Sequence, residues 1–133
     1  MTFVDTSFWA AVYFPRDQRH EEATQLLRAL DDAPLVTSNH VRGETWTLLR
    51  RRVDHRTALH FLDRTARSER ISLMFVSEEL EQDAIRWLRR RNERPYSFVD
   101  ATSFALMRSL KIRDALAFDN DFSAAGFVEL RAS

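Results

Sequence analysis

Two short apolar runs in this chain each stop at an aspartate. Phe3-Val4 is followed by Asp5, and Ala115-Leu116-Ala117-Phe118 is followed by Asp119. Apolar runs this short, flanked by stretches of helical periodicity, read as buried strands rather than helices. A carboxylate placed directly after a buried strand points to the carboxyl edge of a sheet. Two of them, more than a hundred residues apart, fit only folds that bring both strand ends to one edge.

The rest of the chain supplies the other strands and the helices between them. Pro34 to Thr37, Ile71 to Val76 and Phe127 to Leu130 read as further strands, making about five. Thr6-Ser7 is expected to cap a short helix carrying Phe8, Trp9, Val12 and Tyr13. Residues 17 to 31 form an amphipathic helix with Ala23, Leu26, Leu27 and Leu30 on one stripe. Ser38 or Asn39 caps a helix running to about Arg52, residues 55 to 68 make another, and Ser77 and Ser97 open two more. Strands alternating with helices predict a single α/β domain over residues 1–133, a doubly wound parallel sheet flanked by helices. In such sheets ligands bind beyond the carboxyl ends of the strands, where the strand order reverses.

Four carboxylates stand out against this framework: Asp5, Glu44, Asp100 and Asp119. Asp5 can cap the helix after it or bind a ligand. Asp100 fits a capping box with Ser97, and Asp119, Asn120 and Asp121 form a turn-like cluster able to cap a short segment before Gly126. Glu44 falls on a helix face with Val41, Leu48 and Leu49, where it is expected to be buried with no capping role. Its neighbour Gly43 suggests a close approach of backbone or ligand. Like charges brought together in a fold are costly unless a cation compensates them. With no cysteine and no His20, His40, His55 or His60 in a metal-ligand spacing, an all-oxygen site favours a hard ion, magnesium or manganese, over zinc.

Val4-Asp5-Thr6-Ser7, Glu44 within Arg42-Gly43-Glu44-Thr45, Phe98-Val99-Asp100-Ala101-Thr102-Ser103 and Ala117-Phe118-Asp119-Asn120-Asp121-Phe122 with Gly126-Phe127 follow one another over nearly the whole chain. In this order they resemble the PIN-domain nucleases, and among them the VapC-type toxins of bacterial toxin–antitoxin pairs. The resemblance implies an endoribonuclease dependent on one or two divalent ions. Its acidic residues fall on Asp5, Glu44, Asp100 and Asp119, with Asp121 able to share or replace the role of Asp119. Thr6 or Ser7 matches the hydroxyl that orients Asp5 or a water. The resemblance further implies an RNA substrate, a small antitoxin partner and a homodimer. The alternatives are a noncatalytic RNA- or protein-binding module on the same fold and a solitary RNA-processing nuclease. Haloacid-dehalogenase phosphatases and phosphoacceptor receivers fit poorly. The former need an aspartate where Ser7 stands, and Lys111 is the one lysine in the chain.

Net charge is zero, so RNA must be held by local rather than overall positive charge. Arg50, Arg51 and Arg52 close one helix, and Arg89, Arg90 and Arg91, with Arg94, close another; Arg50, Arg51, Arg89 and Arg90 are the candidate RNA contacts, although helix-end cations also complement the macrodipole. The aromatics Phe8, Trp9, Tyr13 and Phe14 are too many for one buried face and are expected to leave some ring for a partner. No basic leader opens the sequence and no apolar stretch is long enough to span a membrane, so a cytoplasmic location is expected.

Overall fold

The computed structural model describes residues 1–132. Its core is a five-stranded, all-parallel sheet of β1 (Thr2–Val4), β2 (Leu35–Ser38), β3 (Ile71–Met74), β4 (Asp114–Leu116) and β5 (Val128–Glu129), in the order β3-β2-β1-β4-β5. The chain steps outward from β1 to β3 on one side, then crosses to lay β4 and β5 on the other. Strand order therefore reverses between β1 and β4, whose register pairs Val4 with Leu116. Both strands are buried almost throughout, as parallel strands covered on two faces must be.

The helices are α1 (Thr6–Tyr13), α2 (His20–Leu30), α3 (Asn39–Arg52), α4 (His55–Arg67), α5 (Glu78–Arg89), α6 (Phe98–Leu110) and α7 (Asp121–Ala124). Ser38, Ser77 and Ser97 cap their helices through side-chain oxygens, as the sequence predicts. The cap of α1 is Asp5, not Thr6 or Ser7: its carboxylate accepts from the Ser7 amide. The second helix begins at His20 rather than residue 17, because Asp17 instead accepts from the Arg19 amide in a preceding turn.

Two further expectations are corrected. Phe8, Trp9 and Tyr13 are all buried and Phe14 is half-buried, because α1 packs against both α2 and α3 and no broad aromatic face is left over. Glu44 is exposed. The buried stripe of α3 is Val41, Thr45 and Leu49, spaced i, i+4, i+8, and Glu44 lies one position off it. A polar residue takes the inner position because Thr45 Oγ1 finds a partner in Thr6 Oγ1 at 3.4 Å. Gly43 is exposed too, and a side chain there would meet no protein atom, so no close approach of backbone explains it.

Phe104 of α6 is the hub of the aromatic packing, 5.2 Å from Trp87, 5.7 Å from Tyr96, 4.9 Å from Phe122 and 5.4 Å from Phe127 between ring centroids. These contacts tie α5, the segment before α6, α7 and the residue leading into β5 into one block. Phe104→Ala is expected to lower stability by about 3–5 kcal/mol, read as a shifted urea midpoint with unchanged slope. A loss under about 1 kcal/mol would mean that the block is held by other contacts.

Candidate active site

The reversal of strand order places Asp5, at the end of β1, beside the segment leaving β4. Asp5 is 2% exposed. Its Oδ2 accepts from Ser7 N at 3.1 Å and from Ser7 Oγ at 2.8 Å, and the same hydroxyl oxygen accepts from Phe118 N at 3.0 Å. One serine thus pins the first carboxylate to the strand that delivers Asp119. Ser7, not Thr6, is the residue touching Asp5; Thr6 links α1 to α3 through Thr45.

Asp100 arrives from α6. The expected capping box is present: Ser97 N donates to Asp100 Oδ2 at 3.0 Å, and Asp100 N donates to Ser97 Oγ at 2.9 Å. The cap uses one carboxylate oxygen. Asp119 and Asp121 come from the turn after β4, where Asn120 adopts a left-handed conformation (φ 68°) and Asp121 N donates to Asp119 Oδ1 at 3.1 Å. Asp100, Asp119 and Asp121 each offer a carboxylate oxygen within 4.8 Å of the others.

The energetics follow from this crowding. Burial pushes Asp5 up to about 8, with repulsion from Asp119 adding to it, the two Ser7 hydrogen bonds opposing it and Asp100 adding a little more. Burial likewise raises Asp100 to about 6, against the Ser97 amide bond and with repulsion from Asp121 and Asp119. Asp119 is raised to about 6 by burial and by Asp121 and Glu129, with the Asp121 amide opposing. Carboxyl groups that hold their protons so far above the usual range lack a compensating positive charge.

A cleft of about 1080 Å³ opens over these groups, with Thr6, Ser97, Phe118 and Arg19 in its wall. Glu44, Arg51 and Arg52 line it from α3. The structure therefore gathers Asp100, Asp119 and Asp121 into one tight group, sets Asp5 beside them on the same cleft, and places Glu44 on the cleft wall outside the group. Of the candidate RNA contacts, Arg51 faces the cleft, Arg50 does not, and Arg89 and Arg90 lie away from it at the end of α5. His40 lines the cleft, but its Nε2 lies 3.1 Å from Glu81.

Arg94 belongs to this site rather than to the end of α5. Its Nε donates to Asp121 Oδ1 at 2.6 Å and its Nη2 to the Asp119 carbonyl at 3.1 Å. Nothing in the spacing of the sequence marks it, since the contact joins the loop before α6 to the first residue of α7, 27 residues away. One oxygen of Asp121 is thereby engaged by a guanidinium, and one oxygen of Asp119 by the Asp121 amide.

The PIN domain pattern matches residues 2–128. The chain belongs to the PIN domain family. It is 53% identical over 135 aligned positions to the 23S rRNA-specific endonuclease VapC20 of Mycobacterium tuberculosis, in two strains, across 98% of both chains. The crystal structure of M. tuberculosis VapC20, described as a sarcin-ricin loop cleaving toxin, superposes with a TM-score of 0.93 at 52% identity, covering 99% of this chain and 100% of that one. The resemblance read from the four acidic motifs is borne out. The PIN fold accounts for the parallel sheet and its acidic crevice, and PIN nucleases as a class use divalent metals. The donor set suits such an ion: hard carboxylate oxygens, crowded and undercompensated. Among the described residues no helix is long and apolar enough to cross a membrane.

The raised carboxyls make stability depend on pH. The folded chain keeps protons that the unfolded chain releases near pH 4, so the stabilisation is complete below that and lost as pH rises. The loss runs through about 6 for Asp100 and Asp119 and about 8 for Asp5. In EDTA, the melting temperature is expected to fall between about pH 5 and 9, with saturating magnesium removing most of the fall. Asp5→Asn should flatten its alkaline part. A melting temperature unaffected by pH and by magnesium would contradict this picture of the site.

Proposed function

We propose that this chain is a divalent-metal-dependent endoribonuclease of the VapC toxin type, acting in the cytoplasm as a homodimer restrained by a small antitoxin. Its proposed substrate class is structured ribosomal RNA, as for the relative VapC20. The observation that carries the proposal is the convergence of Asp5, Asp100 and Asp119, all with raised pKa, on one cleft.

Asp5, Asp100 and Asp119 would hold magnesium or manganese, with Glu44 reaching in from α3 and Asp121 contributing its second oxygen. One or two such ions would supply Lewis-acid charge to the phosphodiester and to an attacking water. The chain's own residues do the rest. Ser7 fixes the buried carboxylate of Asp5, and the Ser97 box fixes that of Asp100, so neither must reorganise during the reaction. Arg94 holds the 119–121 turn from outside. Arg19, Arg51 and Arg52 line the cleft with the positive charge that RNA phosphates require beside an acidic centre. In-line attack by water would leave a 5′-phosphate and a 3′-hydroxyl.

Asp5→Asn, Glu44→Gln, Asp100→Asn and Asp119→Asn are each expected to slow cleavage of a ribosomal RNA hairpin at least about a hundredfold while preserving the fold. Asp121→Asn, whose carboxylate Arg94 already engages, should cost less. Product ends are checked by phosphatase and ligase sensitivity. Recovery of 2′,3′-cyclic phosphates would rule out the chemistry. Variants as active as the parent would favour a noncatalytic binding module.

A further inference from the structure

Five arginines crowd the outer end of the α5–α6 pair. Arg86 and Arg89 sit in the last turn of α5, Arg90 caps it, Arg91 follows, and Arg108 lies in the last turn of α6. Cations at helix ends complement the macrodipole by about 0.3–1 kcal/mol each. That accounts for their presence at these ends but not for their convergence. Arg86, Arg90 and Arg108 share one pocket of about 430 Å³ with Trp87, Ser109 and Asp83.

Ion pairing leaves this pocket positive. Arg86 is paired with Asp83, and Arg91 lies 3.6 Å from Glu93. Among the described residues neither Arg90 nor Arg108 has a carboxylate partner. Three guanidinium groups therefore face a single carboxylate. In a chain of zero net charge this is a local concentration, not a reflection of overall basicity.

The aromatic floor is equally specific. The Trp87 ring is held edge-on by Tyr96 at 4.8 Å and Phe104 at 5.2 Å between centroids. The Arg91 and Arg108 guanidinium carbons lie 5.1 and 5.9 Å from the centre of the same ring. Guanidinium forks match phosphate oxygens and stay charged when partly desolvated, and the Trp87 ring beneath Arg91 and Arg108 orders two of them. The combination suits a phosphate-bearing polyanion.

Arg108 follows Asp100 by roughly two turns of α6, about 12 Å at the helical rise. The pocket shares no lining residue with the catalytic cleft. We propose that it is a second RNA site, gripping a backbone phosphate of the substrate beyond the nucleotides held in the cleft. This rests on the nuclease reading above and adds to it a substrate requirement: an RNA long enough to run from the cleft to the far end of α6. Arg90 and Arg108 carry the site.

The test compares RNA binding by the Asp5→Asn protein, which holds substrate without cutting it, with and without Arg90→Gln and Arg108→Gln. By fluorescence anisotropy, a hairpin of about 30 nucleotides should bind the double-Gln protein about tenfold more weakly, with the slope of log affinity against log salt shallower by about 1–2. A trinucleotide, spanning about 7 Å at the stacked rise of about 3.4 Å per nucleotide and so too short to run from the cleft to the pocket, should bind both equally. Equal hairpin affinity and equal salt slope would overturn the proposal. So would thermal stabilisation by inorganic phosphate that is lost in the double-Gln protein while hairpin binding is unchanged, since the pocket would then take a free anion. If the double variant melts early, Arg90→Gln alone, at an exposed cap, should show about half the change in slope. Weakened hairpin binding alongside a parent that cuts no RNA would uphold the second site and defeat only the nuclease reading.

Discussion

Asp5 and Asp119 repel each other across the crevice between β1 and β4, and much of the local structure manages that repulsion. A buried carboxylate next to another is a state that folding alone disfavours. The chain tolerates it by protonation and hydrogen bonding: Ser7 donates twice to Asp5, Ser97 engages Asp100, and Arg94 steadies Asp121. None of these partners neutralises Asp5 or Asp100. What remains is an acidic centre whose charge is complete only when something cationic enters.

The sheet makes this arrangement unavoidable. Because β1 and β4 are parallel neighbours with Val4 opposite Leu116, the residues that follow them must emerge side by side. Asp100 joins because α6 starts at the same edge. Its capping box fixes one carboxylate oxygen to the helix while the side chain stays on the cleft. The Phe104 block then holds the helices and turns that carry Asp100, Asp119 and Asp121 in mutual register.

Much of this is legible before any coordinates. Apolar runs ending in aspartate identify β1 and β4, serine caps mark three helices, and the pairing of Ser97 with Asp100 is visible as a spacing of three. Glu44 shows where such inference fails. Its helical phase relative to Val41 and Leu48 suits burial, yet Thr45 takes the inner position because its hydroxyl meets Thr6. The choice between adjacent positions on a weakly amphipathic helix depends on tertiary partners. Arg94 and the Ser7–Phe118 bond were illegible for a related reason, since both join segments that only the folded sheet brings together. The aromatic content of α1 misled in the opposite sense, because a helix enclosed by its neighbours buries rings on more than one face.

The acidic centre and the arginine pocket divide the charges of a neutral chain into opposing fields, one for a cation and one for a polyanion. Under the proposed function, that separation would let a protein without net positive charge meet RNA while keeping a carboxylate-rich centre. The account depends on the centre being a cation site. A crystal grown with saturating manganese, with an anomalous difference map, tests this most directly. The expected result is a peak in contact with the carboxylates of Asp5, Asp100 and Asp119. A map with no peak there, and those three groups still sharing protons, would contradict it.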